Sequence, residues 1–161
     1  MLQRLVVTAI LFVLVFSGSM ATAQMPNPYG PPVSLENAKK AAAAALAEAH
    51  KNNWTMAVAV TDTAGCLVYF ERIDGTQVAS SAVAINKARS AAVYKRPTKT
   101  FQDALAAGGE GLRILHLEGA VAVDGGFPLV MDGKIVGAIG VSGGTSAQDG
   151  QAAKPGAEAL K

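Results

Sequence analysis

The sequence predicts an α+β domain in which helices cover an antiparallel sheet. Apolar, β-rich segments occur in pairs separated by short turns, and long alanine-rich segments with helical periodicity lie before and between these pairs. A doubly wound parallel sheet would instead alternate single strands with helices, and that alternation is missing. The 161 residues suit one domain, because two domains would each be near the lower size limit for a self-sufficient core.

The composition excludes several functional classes. Half of the residues are hydrophobic and only 16% are charged, which excludes a disordered chain. The net charge is +2 and no block of Lys or Arg could follow a phosphate backbone, so nucleic acid is not an expected partner. The lone Cys66 excludes an intrachain disulfide and a thiolate zinc cluster. It follows a turn, where a packed thiol and a bond to a second chain both stay open.

The first 23 residues have the pattern of an export signal. Arg4 precedes an uncharged stretch over residues 5–16, and Ala21-Thr22-Ala23 forms a cleavage site. Twelve helical residues rise only about 18 Å, too little to cross a bilayer core of roughly 30 Å. An uncleaved anchor is the alternative. We expect a periplasmic or secreted protein with no stable membrane span after cleavage, a proline-rich leader over residues 24–33 and one domain over residues 34–161.

Capping residues and periodicity predict the helices. Ser34 is a good N-cap for a helix that ends near residues 51–53. A second helix covers residues 78–94 and ends before Pro97, because the residue before a proline avoids helical geometry. Two further helical segments are predicted, of which the second is interrupted by Pro155: residues 100–107 and 146–161.

Five strands are predicted from β-rich runs between turn residues. Ala64-Gly65-Cys66 and Asp132-Gly133 are hairpin turn signals. Strands that follow one another through tight turns predict an antiparallel meander. The predicted strands cover residues 56–63, 67–73, 120–123, 129–131 and 135–141.

Searches for nucleotide-binding, metalloprotease and serine-hydrolase motifs find none, and covalent attachment of a c-type haem is excluded because C-x-x-C-H is missing. The glycine-rich run over residues 140–145 precedes a predicted helix, so its amides could hold an anion. The alternative, which we favour, is a strand-to-helix turn capped by Thr145 or Ser146.

Two histidines and a basic cluster are the candidate ligand-binding residues. His50 falls in the last turn of the first helix, where it would complement the helix dipole, and His116 lies in a polar segment; each could also donate an imidazole to an iron centre. Lys87, Arg89, Lys95 and Arg96 form either a solvated face or a basic rim for a carboxylate ligand such as haem propionates.

Several motifs in a fixed order resemble those of the GlcG/HbpS family of haem-binding and haem-degrading proteins, to which the PduO C-terminal domain is related. Residues 60–65 and 70–75 resemble a V-x-D-x-x-G…R-x-D hairpin, and residues 85–92 resemble a K-A-x-[ST]-A helix. Residues 125–129 and 137–144 resemble its G-G-x-P and G-A-x-G-V-S-G-G segments. The likeness covers residues 34–160. Arg89 and Pro155 depart from the pattern, and Pro155 puts the continuity of the last helix in doubt.

The resemblance implies a profilin-like or roadblock-like α/β sandwich with a five-stranded antiparallel sheet and helices on its faces. It implies a homo-oligomer, possibly an octamer, that binds haem non-covalently and serves haem or iron sequestration or degradation. His50 and Ser90 are the positions that it suggests for ligation of the iron, and His116 is a further candidate. Lys87 or Arg96 would then contact the propionates.

A second hypothesis is a small-molecule enzyme or accessory factor for organic acids. Asp62, Arg72, Asp74 and Lys87 would surround a polar cleft, because a carboxylate and a lysine together can transfer protons. The alternative for these residues is structural, with Asp62 capping the hairpin turn and Arg72 and Asp74 closing the next strand. A ligand-free packing module is also open, and whether the protein is an enzyme stays undecided by the sequence.

Overall fold

The computed structural model describes residues 27–161, and the predicted export signal therefore lies outside the described residues. The elements confirm the α+β class. In chain order they are α1 (Leu35–Lys51), β1 (Ala57–Thr61), β2 (Leu67–Arg72), α2 (Ser80–Val93), α3 (Thr98–Ala106), a 3-10 helix (Gly109–His116), β3 (Gly126–Met131), β4 (Lys134–Ser142) and α4 (Ser146–Glu158).

The sheet has four antiparallel strands in the order β2-β1-β4-β3. Two hairpins lie side by side and are joined by the long-range pairing of β1 with β4, so the predicted simple meander is wrong. The predicted five strands are also wrong, because residues 120–123 form no strand. The backbone N–H of Val121 donates to Ser90 Oγ and that of Asp124 donates to Gln102 Oε1. Side chains of α2 and α3 thus accept the backbone hydrogen bonds that a neighbouring strand would otherwise accept.

Small side chains let the helices approach the sheet closely. On one face, α2 packs on β1 and β4, where a Cβ on Gly140 would lie 2.1 Å from the carbonyl oxygen of Ala84. On the other face, α1 covers β1 and β2 while α4 covers β3 and β4. Alternate residues of β1 serve the two sides, since Ala57 packs towards α2 and Val58 belongs to the core under α1 and α4.

The helices agree with their predicted positions to within a few residues. Ser34 caps α1 by accepting a hydrogen bond from the Asn37 amide. The doubt about the last helix is resolved, because α4 runs through Pro155 to Glu158. The sequence did not predict the 3-10 helix, which presents Leu112 and Leu115 to solvent. None of the described helices is long and apolar enough to cross a membrane.

The described part of the proline-rich leader is extended and lies along β4. Tyr29 forms a parallel bridge with Ile135, and the N–H of Gly30 donates to the Ile135 carbonyl at 2.8 Å. Val33 N–H donates to Val136 O at 2.7 Å. This N-terminal segment, residues 27–33, is therefore attached to the sheet where β1 no longer covers β4.

Candidate functional site

A buried ion pair links α2 to α4. The Nζ atom of Lys87 lies 2.6 Å from Asp149 Oδ2 and also donates to the Val141 carbonyl at 3.1 Å. Both side chains are buried, and Asp149 Oδ1 accepts the Gly144 amide at 2.9 Å. Burial raises the pKa of Asp149, while the Lys87 ammonium and the backbone amides oppose that change. The pair is therefore a nearly closed polar cluster, with side-chain exposures of 0% for Lys87 and 4% for Asp149.

The same cluster settles the two interpretations of the glycine-rich run. Thr145 caps α4 in a capping box with Gln148, as the favoured interpretation predicts. The amide of Gly144, at the N-terminus of α4, donates to the carboxylate of Asp149. This helix end therefore already holds an anion from its own chain.

A concave surface with a volume of about 880 Å³ lies at the β3 edge of the sheet. Four segments that are distant in sequence form it: the N-terminal segment, the α2–α3 connection, β3 with the start of β4, and the end of α4. We call it the basic groove. Its lining residues are Asn27, Lys95, Arg96, Pro97, Thr100, Phe127, Pro128, Val130, Ile135, Lys154, Ala157, Glu158 and Lys161.

The basic groove combines an apolar wall with a cationic rim. Phe127, Pro128, Val130 and Ile135 form the wall on the edge of the sheet. The rim holds four cations and one carboxylate, and they are Lys95, Arg96, Lys154, Lys161 and Glu158. A flat apolar ligand that carries carboxylates matches both features, because the wall buries apolar surface while the rim offers charge-assisted hydrogen bonds.

A smaller groove of about 530 Å³ lies between α3 and the 3-10 helix and shares Arg96 and Thr100 with the basic groove. The Arg96 Nε donates to the Tyr94 carbonyl at 3.0 Å, and its guanidinium lies 5.6 Å from the centre of the Phe101 ring. Arg96 therefore lies between the two grooves, and the hydrogen bond to the Tyr94 carbonyl fixes its Nε atom.

The chain is similar to a described protein family and to a protein of Escherichia coli. The model of the family described as "Haem degrading protein HbpS-like" matches residues 33–158. The chain is also 38% identical over 110 residues to Protein GlcG of Escherichia coli K12, which covers 68% of this chain and 81% of that protein. The chain belongs to the GlcG/HbpS family.

Solved structures of this family have the same fold. A double mutant of Streptomyces reticuli HbpS superposes with a TM-score of 0.74 at 30% identity, covering 96% of this chain and 99% of that chain. The structure described as a PduOC:Heme complex gives a TM-score of 0.72 at 26% identity, covering 81% of this chain and 96% of that one. The recognised motifs therefore identified the family correctly.

Two of the basic residues singled out in the sequence have contrasting positions. Arg96 is exposed and lines the basic groove. Lys87 is completely buried and paired with Asp149, so both a solvated face and an exposed basic rim are wrong for this residue. Arg89 follows two residues later in the sequence and is exposed, but Lys87 lies on the buried side of α2 with Ala84 and Ala88, which pack on β1.

The predicted iron ligands are not brought together. His50 is exposed at the end of α1 and His116 is exposed at the end of the 3-10 helix, and neither residue lines the basic groove. Ser90 is buried, and its Oγ accepts the Val121 amide at 3.0 Å. Within residues 27–161, no group of three or more His, Cys, Asp or Glu residues could hold a metal ion.

The polar cleft of the second hypothesis does not form. Asp62 lies at the turn end of the β1–β2 hairpin, where its Oδ1 accepts the Ala64 and Cys66 amides, as the structural alternative predicts. Arg72 pairs with Ala57 at the other end of the hairpin, about 16 Å away at the rise of a strand. Asp74 follows Arg72 and is exposed, whereas Lys87 is buried. One ligand of ordinary size cannot contact all four.

Sequence reasoning missed most of the basic groove. Lys154 and Lys161 are single charges in a helical tail, and no spacing in the sequence relates them to Phe127. The Gly125-Gly126-Phe127-Pro128 motif was a signal of the groove's position, because a proline inside a strand predicts an edge strand.

The thiol of Cys66 is exposed, and it is unpaired within this chain.

Proposed function

We propose that this protein binds haem non-covalently in the basic groove. The proposal rests on one observation: a single groove of about 880 Å³ contains both a four-residue apolar wall and a rim of four cations. Haem is a flat apolar ring with two propionates, and pockets for ligands of that size have volumes of about 300–1,000 Å³. The likeness to a haem-degrading family and to a protein solved with heme supports the same ligand.

The residues present fit this group in two respects. Phe127, Pro128 and Val130 would pack against the porphyrin, and burial of their apolar surface would supply most of the affinity. Arg96 and the lysines of the rim would bind the propionates. When bound, haem supplies a redox-active iron.

The lining of the basic groove, as the structure describes it, contains no imidazole. Haem there would be held by its ring and its carboxylates, and His50 would remain solvent-exposed at the end of α1. We therefore expect His50→Ala and His116→Ala to change the hemin affinity less than twofold. A tenfold loss in His50→Ala would place the porphyrin at the end of α1 instead.

The test is an absorbance titration of the chain from Gln24 with hemin, alongside hemin dimethyl ester. The proposal predicts a saturable Soret band with hemin and at least tenfold weaker binding of the ester, since the ester lacks charged carboxylates. A linear, non-saturating rise with both would mean adsorption and would contradict the proposal.

A second measurement distinguishes sequestration of haem from its degradation. When the Soret band is followed over hours with ascorbate present, sequestration preserves the band, whereas degradation bleaches it.

We further propose that the chain is exported and forms a homo-oligomer. The pattern of residues 1–23 supports export, and the exposed Leu112 and Leu115, the latter 69% exposed, support self-association through the 3-10 helix. Fractionation of cells and light scattering of the purified chain test the two parts. Retention in the cytoplasm, or a monomer at micromolar concentration, would contradict them.

A further inference from the structure

One cation of the basic groove is held by a residue outside the family match. The Nζ atom of Lys95 lies 4.0 Å from the centre of the Tyr29 ring, which is a cation–π distance. Tyr29 belongs to the N-terminal segment, whereas the match to the family begins at residue 33. The position of this ammonium therefore depends on a part of the chain that the family model does not include.

Tyr29 is itself held at two points, through its hydroxyl and through its backbone. Its hydroxyl donates to the Ala92 carbonyl at 2.9 Å and lies 3.1 Å from the Val93 carbonyl, both at the end of α2. Its backbone pairs with Ile135, whose side chain lines the basic groove. A tyrosine phenol keeps its proton at neutral pH, and partial burial raises the pKa of Tyr29 further, so its hydroxyl is a hydrogen-bond donor there. The ring is thus a rigid support for the Lys95 ammonium.

The backbone of Lys95 supports a role for its side chain. Lys95 has φ +56°, the left-handed conformation at the end of a helix that glycine adopts without strain. A non-glycine residue there is strained, and such strain tends to occur at functional sites. With the backbone in this conformation, the Lys95 side chain contacts the Tyr29 ring and lines the basic groove.

We propose that Tyr29 is a positioning residue that holds the Lys95 ammonium in the basic groove to receive one carboxylate of an apolar, carboxylate-bearing ligand. The N-terminal segment is then part of the binding site. By holding Lys95, Tyr29 contributes to the preference of this protein for acids over their esters, together with the other cations of the rim. The ligand class rests on the proposed function.

The test combines a ligand-free and a ligand-bound measurement on the chain from Gln24. In NMR spectra, the ring current of Tyr29 shifts the Lys95 ε-protons upfield, and we expect Tyr29→Leu to abolish this shift. We expect Tyr29→Leu to weaken binding of iron-free protoporphyrin IX about tenfold and to leave binding of its dimethyl ester unchanged within twofold. Tyr29→Phe, which keeps the ring and loses the hydroxyl, should fall between. Tyr69→Leu, a tyrosine of β2 outside the groove, is the matched control.

Lys95→Gly separates function from folding. It removes the strain at φ +56° together with the ammonium, so we expect a melting temperature equal to or above that of the unmodified chain and about tenfold weaker protoporphyrin binding. An unchanged Lys95 shift in Tyr29→Leu, or equal losses for the acid and the ester, would overturn the positioning role. Failure of the unmodified chain to bind either porphyrin would overturn the proposed function and the ligand part of this inference, while the Lys95 shift would still report the positioning.

Discussion

The ammonium of Lys87 lies 2.6 Å from Asp149 Oδ2, although the two residues come from helices on opposite faces of the sheet. The pair passes beside Gly125, where a Cβ would lie 3.0 Å from Lys87 Nζ and 2.8 Å from Asp149 Cβ. Glycine at this position leaves the space in which the lysine reaches around the sheet. A buried charge without its partner is costly, so the two residues act as one unit.

We expect Lys87→Met and Asp149→Asn to destabilise the fold by about 3–5 kcal/mol each, because each leaves one buried partner uncompensated. The double variant should lose much less than the sum of the two. Urea unfolding followed by circular dichroism gives the three free energies of unfolding. Additive losses would show that the two side chains contribute independently.

The capping box at the start of α4 gives a second prediction. Thr145 Oγ1 accepts the Gln148 amide, and the Thr145 amide donates to Gln148 Oε1. Thr145→Ala should lower the free energy of unfolding by about 1 kcal/mol, since an N-cap side chain satisfies an otherwise unpaired donor. Ser146→Ala, one residue further on, is the control and should have little effect. Equal effects would contradict the assignment of the cap.

These two features differ in how far the sequence predicts them. Capping and turn chemistry is local, so Ser34, Thr145 and the Asp132-Gly133 turn predicted element boundaries correctly. The burial of Lys87 is not local. A lysine among Lys and Arg residues has the pattern of a solvated face, and only the packing of α2 on the sheet shows that its partner is 62 residues away.

The basic groove was beyond sequence reasoning for the same reason. Its wall and rim come from four segments that meet only through the β3–β4 pairing, the placement of α4 and the attachment of the N-terminal segment to β4. Arg96 was identified because it is part of a visible charge cluster. Lys154 and Lys161 carry no such signal. The false strand at residues 120–123 arose because β-rich composition does not show that side chains of α2 and α3 take its hydrogen bonds.

The close approach of α2 to the sheet gives a third prediction. A Cβ on Gly140 would lie 2.1 Å from the Ala84 carbonyl and 2.5 Å from the Ala88 amide, and backbone atoms cannot rotate away. Gly140→Ala should therefore destabilise the fold by about 3 kcal/mol or more, at the upper end of overpacking costs. Gly108→Ala, in open space at φ +68°, should cost only about 1 kcal/mol. Equal costs would mean that α2 can move off the sheet.

The contact between α1 and α4 gives a prediction about pH. Hydrogen bonds from Gln151 and Asn52 lower the pKa of the half-buried Glu48 carboxyl below its ordinary value. The folded chain thus holds fewer protons than the unfolded chain between the two pKa values. The contribution to stability is complete above the unfolded value of about 4.3 and is lost as the pH falls through the folded value.

Carbon-13 NMR titration of Glu48 should show this lowered pKa, and Gln151→Ala should raise it towards the ordinary value. Lys154→Ala, on the same helix but without a contact to Glu48, is the control. A Glu48 pKa that does not change in Gln151→Ala would contradict the assigned hydrogen bond.

Charge reversal in the rim tests most directly whether haem binds in the basic groove. Lys154→Glu/Lys161→Glu reverses two rim cations, whereas Lys39→Glu/Lys40→Glu changes the net charge equally on exposed residues of α1. In hemin titrations of the chain from Gln24 at fixed ionic strength, we predict at least a tenfold loss of affinity, about 1.4 kcal/mol, for the first pair and less than a twofold loss for the second. Equal losses in both variants, or none in the first, would contradict a haem site in the basic groove.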